Sequence, residues 1–130
     1  MLKHGLQFAG RVVLIVDDDP QVLKMTSRML ASAGYQTVEA ATPAEAFALV
    51  TQVKIDIFLL DAILPGMNGA DLAEELSKSQ QSATTVFMSG LDAMAVWMAF
   101  GKPCQVLQKP FSSEQLICKL EATGPVASAT

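Results

Sequence analysis

The sequence predicts an α/β fold, with a parallel sheet covered by helices on both faces. Three observations carry this prediction. Short β-branched apolar runs mark strands buried on both faces. Amphipathic stretches with legible caps lie between them. The two kinds of segment alternate through the 130 residues, which is a length for one domain. Strand-helix repetition places a helical crossover between parallel strands, and crossovers cover both sides of a sheet.

Residues 1–10 carry no secretory signal pattern and are expected to be a flexible leader. The domain is expected over 11–122. Val12-Val13-Leu14-Ile15-Val16 is the first strand. Asp19-Pro20 opens a helix, with a carboxylate at the N-cap and proline at the first helical position, and Gly34 stops it. Gln36-Thr37-Val38-Glu39 is a short second strand. Thr42-Pro43-Ala44-Glu45 reads as a capping box. Ile55 to Leu60 is the third strand, and Ala70 to Lys78 an amphipathic helix. Thr84 to Met88 is the fourth strand.

Asp92 to Phe100 is the fourth helix and is unusually apolar. Met94, Val96, Trp97, Met98 and Phe100 cannot all face a core, because a helix of that length turns through every direction. Either most of them are buried, Trp97 included, or they form an apolar docking surface. Gln105-Val106-Leu107 is the fifth strand. Ser112-Ser113-Glu114-Gln115 offers a second capping box, opening a helix through Leu116, Ile117 and Leu120. Residues 123–130 read as a flexible tail or the start of a linker. The expected total is five strands and five helices.

Composition narrows the function. Hydrophobic residues make up 51% of the chain and charged ones 17%, a globular balance. The net charge is −4 and the nine Lys and Arg are scattered, which argues against direct nucleic-acid binding. No apolar run reaches membrane-spanning length. Cys104 and Cys118 lack the companions that a disulfide framework or a zinc site needs, so they read as reduced thiols of a cytoplasmic protein. His4, alone in the leader, reads as inert.

In a fold of this class ligands bind beyond the carboxyl ends of the strands. Asp17, Asp18 and Asp19 follow the first strand, Asp61 the third, Ser89 the fourth, and Lys109-Pro110 the fifth. Singly, each has a bland explanation as turn residue, cap or solvated charge, and Asp19 is best explained as the N-cap. Together they suit one site. Adjacent carboxylates repel, so removing Asp17 or Asp18 is expected to relieve the metal-free protein. Three converging carboxylates suit Mg2+, a hard ion that shares its shell with phosphate oxygens. A lysine ammonium and a serine hydroxyl complete the equipment for phosphoryl transfer, in which a carboxylate can be the covalent acceptor.

The runs VLIVDDDP (13–20), DIFLLDAILPGMNG (56–69), VFMSG (86–90) and LQKPF (107–111) resemble the receiver domains of bacterial two-component response regulators. The resemblance implies a flavodoxin-like, doubly wound five-stranded parallel sheet in the order 2-1-3-4-5. It implies Asp61 as phosphoacceptor, Asp18 and Asp61 as direct Mg2+ ligands, Asp17 as a ligand through water, and Ile63 as a ligand through its backbone carbonyl. Ser89 and Lys109 take the phosphate-binding and switch places, and the Lys109–Pro110 bond is implied to be cis. The implied partners are a histidine kinase or histidine phosphotransfer protein, and a homodimer or effector contact through helix 4, strand 5 and helix 5. The implied role is a signalling phosphoacceptor, not a turnover enzyme.

Two departures from the family pattern stand out. Where the family often has an aromatic switch residue, this chain has Val106. The stretch from Ser89 to Lys109 is slightly short, which predicts a trimmed fourth helix or loop. Ile63 and Leu91 occupy the places that border water's approach to an aspartyl phosphate. Both are apolar, which predicts slow loss of the phosphate. Two rivals remain. Asp17-x-Asp19 superficially resembles the DxD of aspartate-nucleophile phosphohydrolases, though Pro20 and the capping role of Asp19 oppose it. A pseudo-receiver would keep the fold as a phosphorylation-independent interaction module.

Overall fold

The computed structural model describes residues 10–123, so the leader with His4 and the tail from Gly124 lie outside the described residues. The elements run β1 (Val12–Val16), α1 (Pro20–Ser32), β2 (Gln36–Ala40), α2 (Pro43–Val50), β3 (Ile57–Asp61), β4 (Ile63–Leu64) and β5 (Met67–Asn68). They continue with α3 (Gly69–Ser77), β6 (Thr84–Ser89), α4 (Ala93–Phe100), β7 (Val106–Gln108) and α5 (Ser113–Thr123). Five of the strands form one sheet in the order β2-β1-β3-β6-β7, with every pairing parallel. Counted among sheet strands alone, this is the expected 2-1-3-4-5.

Period-two alternation sorts the central strands onto two cores. Leu14, Val16, Phe58 and Leu60 pack with Ala46 of α2, Leu72 and Leu76 of α3 and Val96 of α4. Val13, Ile15, Ile57 and Leu59 pack on the other face with Leu23 and Leu30 of α1 and Leu116 and Leu120 of α5. All five residues of β3 are buried, which is why this stretch reads as an unbroken apolar run. Truncating a leucine such as Leu72, which has no exposed surface, to alanine costs about 2–5 kcal/mol.

The caps form largely as read. The Asp19 carboxylate accepts from the Gln21 N–H at 2.9 Å ahead of Pro20. Gly34 takes a left-handed φ of 97° beyond α1, a conformation that costs other residues strain. Ser112 and Gln115 bond reciprocally, at 3.0 and 2.8 Å. The Thr42 box is displaced by one residue: Glu45 accepts from the Ala41 N–H at 2.7 Å, not from that of its own N-cap. Asp92 is the N-cap of α4 and lies just outside it.

Three readings are corrected. The third strand starts at Ile57 and reaches Asp61; the Ile55 N–H is taken by the Gln80 side chain at 3.2 Å instead. The chain after Asp61 forms a small antiparallel hairpin, β4 with β5, turning at Pro65-Gly66, which the expected total of five strands leaves out. In α4, burial of most apolar residues does not hold. Only Val96 is buried, while Met94 and Met98 are 60% and 77% exposed. Trp97 and Phe100 are half-buried. The Trp97 indole N–H donates to the Cys104 carbonyl at 2.8 Å, and Phe100 meets Phe87 edge-on at 5.0 Å. A helix lying over one side of a sheet can bury only one stripe.

Candidate functional site

The parallel register gathers the strand ends. Val16 is opposite Leu60, so Asp17 follows β1 beside Asp61, the last residue of β3. Asp61 is in turn opposite Met88, and Ser89 stands one residue further on. Lys109 follows β7, and its N–H donates to the Ser89 carbonyl at 2.7 Å. Four elements adjacent in space thus deliver residues that are up to 92 positions apart in sequence.

One carboxylate oxygen from each of Asp17, Asp18 and Asp61 lies within 4.8 Å of the others. Lys109 Nζ is 2.8 Å from Asp17 Oδ2 and 3.4 Å from Asp61 Oδ2. Asp17 Oδ1 accepts from the Asp19 N–H at 2.9 Å, and Asp61 Oδ1 from the Ile63 N–H at 3.1 Å. Asp17 is fully buried and Asp18 is exposed. The Asp61 side chain keeps 12% of its surface exposed, enough of an edge for an incoming group.

The balance of charge is unfavourable. Buried carboxylates about this far apart repel by roughly 3–4 kcal/mol at an effective dielectric near 20, and one lysine must serve both Asp17 and Asp61. Burial pushes the Asp61 carboxyl above its ordinary range; the Ile63 N–H lowers it, Asp17 raises it further, and Lys109 lowers it, with a net rise. For Lys109, burial pushes the ammonium down, but the Asp17 hydrogen bond and the Asp61 charge outweigh it, so it stays protonated more firmly than usual. An all-oxygen donor set with surplus negative charge fits a small hard dication.

The expectation that losing Asp17 would relieve the metal-free protein is revised. Its carboxylate is bonded to Lys109 and to the Asp19 N–H, so removing it takes the nearer of two carboxylate partners from a half-buried ammonium. Asp18 is exposed, so solvent screens its repulsion and little relief is expected from removing it either. Ser89 is buried, and its Oγ accepts from the Leu91 N–H at 2.9 Å. Ile63 and Leu91 sit on the rim, 65% and 47% exposed. The Lys109–Pro110 bond is cis. Val106 is buried in the α2–α3–α4 core, opposite Phe87. Cys104 and Cys118 are free thiols. Among the described residues no helix is long and apolar enough to cross a membrane.

Backbone that sequence reasoning did not single out also packs against the site. Gly69 N–H donates to the Ala62 carbonyl at 2.7 Å, directly behind Asp61. In sequence, a glycine after an asparagine reads only as a turn.

Residues 13–121 match the response regulator receiver domain family. The chain is 31% identical over 124 residues to the phosphate regulon transcriptional regulatory protein PhoB of Pseudomonas aeruginosa, a match covering 89% of this chain and 54% of that protein. It is 35% identical over 108 residues to the sensor kinase CckA of Brucella abortus, covering 80% of this chain and 11% of the kinase. The chain therefore spans about half the length of PhoB and a small part of CckA. Among solved structures, the chemotaxis protein CheY4 of Vibrio cholerae superposes with a TM-score of 0.78 at 26% identity, covering 88% of this chain and 99% of that one. A response regulator receiver protein of Sinorhizobium medicae gives 0.76 at 25%, covering 87% and 93%. A match over most of the chain, with the same sheet order and an acidic cluster at the strand ends, identifies this protein as a member of the response regulator receiver domain family.

Proposed function

We propose that this chain takes a phosphoryl group onto Asp61 in a magnesium-dependent reaction, supplied by a histidine kinase or histidine phosphotransfer protein. The convergence of Asp17, Asp18, Asp61 and Lys109 on one point carries the reading. An Asp61 carboxylate oxygen attacks phosphorus, the phosphorus–nitrogen bond of the donor breaks, and its imidazole leaves with the electron pair. Asp18 and Asp61 directly, Asp17 through water and the Ile63 carbonyl would hold the ion, which supplies charge neutralisation for the phosphoryl oxygens. Lys109, already shared between two carboxylates, pairs with one phosphoryl oxygen. Ser89 uses its oxygen to accept from Leu91, so its hydroxyl proton is left to donate to another.

The domain assists its own phosphorylation and is not a turnover enzyme on an external substrate. It works in the cytoplasm, without direct nucleic-acid or membrane binding, and signals to a second copy or an effector across α4, β7 and α5. With Val106 in place of a mobile aromatic, the signal leaves the site through the Ser89–Leu91 contact. Drawing the Ser89 hydroxyl toward a phosphoryl group releases the Leu91 N–H ahead of α4, the helix that carries exposed Met94 and Met98.

The test is labelling by acetyl phosphate with and without Mg2+, or binding of beryllofluoride. Magnesium-dependent, hydroxylamine-labile phosphate supports the reading, and none in any condition leaves a pseudo-receiver. The apolar rim adds a second expectation. Ile63 and Leu91 cannot orient an attacking water and offer no general base. After donor removal the wild type should hold its phosphate longer than Ile63→Asn/Leu91→Glu; equal or longer retention by the double variant removes the rim's role.

A further inference from the structure

Between Asp61 and α3 the chain makes the β4–β5 hairpin and returns to within contact of its own start. The return point is Gly69, the first residue of α3. Its N–H reaches the Ala62 carbonyl at 2.7 Å. A Cβ there would lie 2.7 Å from the Asp61 carbonyl oxygen, 3.0 Å from Ala62 Cα and 3.1 Å from the Ala62 carbonyl oxygen. All three atoms are backbone, so none can swing aside as a side-chain tip can.

Gly66, in the same loop, gives the contrast. It has a φ of 80° and open space where a Cβ would go, so its requirement is conformational. The requirement at Gly69 is for space. Alanine is a better helix former than glycine, so propensity alone gives no reason for Gly69→Ala to harm the first turn of α3. The close approach supplies one.

We propose that Gly69 is a positioning residue for Asp61: the absence of a side chain lets α3 clamp the Asp61–Ala62 peptide and so fixes where the Asp61 carboxylate meets Lys109 and the metal ligands. This rests on Asp61 being the phosphoacceptor. The carboxylate hangs on the clamped peptide, and one of its oxygens is held by the Ile63 N–H of the same loop, at 3.1 Å. A Cβ at 69 must push this backbone by several tenths of an ångström, and Asp61 moves with it. Displacements approaching 1 Å can cost about a hundredfold in a positioned reaction.

The experiment compares Gly69→Ala with Gln80→Ala. The Gln80 side chain ties the Val50 and Val53 carbonyls and the Ile55 N–H at the opposite end of the sheet, so its loss destabilises without touching the site. Labelling rate from acetyl phosphate, Mg2+ affinity by titration calorimetry and thermal midpoint are measured on each. Gly69→Ala is expected to slow labelling by about tenfold or more and to weaken Mg2+ binding, while Gln80→Ala keeps both within about twofold. Labelling and Mg2+ affinity of Gly69→Ala within twofold of wild type overturn the proposal. So does an equal loss in Gln80→Ala, which would make the effect general destabilisation. If Gly69→Ala does not fold, wild-type amide exchange decides. Coupling is reciprocal, so Mg2+ with beryllofluoride should slow exchange at the Gly69 N–H more than at the Ile55 N–H, and equal slowing overturns the proposal. A wild type that takes no label refutes the phosphoacceptor reading instead, and Mg2+ affinity alone then judges Gly69.

Discussion

Asp56 and Asp61 bracket the same central strand and behave as opposites. At the amino end, Asp56 Oδ2 accepts from the Val12 N–H at 2.8 Å, and Lys54 Nζ stands 3.8 Å from its other oxygen. Gln80 nearby spends both ends of its amide on backbone groups of one stretch, the end of α2 and the connection to β3. At the carboxyl end, Asp61 shares one lysine with buried Asp17 and lies close to Asp18. At the amino end Asp56 and Gln80 spend their polar groups on nearby backbone. The carboxyl end keeps three close carboxylates against one lysine, a surplus of negative charge that suits an added cation. Function follows this difference in balance, since residue type and strand are the same.

The sharpest test of the comparison is Asp61→Asn against Asp56→Asn. We expect Asp61→Asn to fold and take no label, and Asp56→Asn to label within about twofold of wild type, measured with acetyl phosphate and Mg2+. The same variant carries a stability sign. The Asp61 carboxyl is held above its unfolded value, mainly by burial, so its contribution is present below the ordinary carboxylate range and lost as pH rises through the folded value. At neutral pH without metal the ionised group therefore costs stability. Asp61→Asn should melt higher than wild type in chelator at pH 7, and the gap should close as the solution is acidified.

Next in size are the neighbouring acids. Asp18→Ala should weaken Mg2+ binding by about tenfold or more with little change in metal-free melting, since its side chain is exposed. Asp17→Ala should weaken Mg2+ binding less but destabilise the metal-free protein by about 1–3 kcal/mol, because Lys109 loses its nearer partner. Calorimetric Mg2+ titration and chemical denaturation separate the two. If both variants melted above wild type, repulsion would outweigh the pairing of Asp17.

At the amino end Gln80→Ala should cost about 1–3 kcal/mol in denaturant, for the groups it leaves unpaired. An unchanged midpoint would show that this stretch holds without it. The smallest effect is confined to alkaline solution. Tyr35 is the only tyrosine, and its phenol is pushed up to about 12 by burial and by Glu121, against a lowering by Arg11. Its contribution is therefore complete below pH 10 and is lost as pH rises through about 12. Absorbance at 295 nm reads this titration directly, and a midpoint near 10 would show the ring to be solvated. Burial thus raises an acid's pKa in both regions, but for Tyr35 the cost of the charged form is felt only in alkali, whereas for Asp61 it sets in from the carboxylate range upward.

The strands, caps and strand-end residues were legible because each depends on neighbours in sequence. The apolar run through Leu60, the Asp19-Pro20 start and the Ser112–Gln115 box carry their own local physics. The four motifs likewise carry Asp17, Asp18, Asp61 and Lys109 within short contiguous runs. The sequence was silent where distant parts of the chain decide. Which stripe of α4 is buried depends on how the helix lies over β6 and β7, so five apolar residues could not be sorted by pattern. Asp17 read as a repelled charge until Lys109, 92 residues away, was found bonded to it. Gly69 stood in the sequence only as the last residue of a family motif, because the atoms that crowd a side chain there belong to the end of β3, across the hairpin. Residue types and local order were determined by the sequence itself. The distances that set burial, charge balance and close approach belong to the tertiary structure, because those energies depend on separation in space and not on separation along the chain.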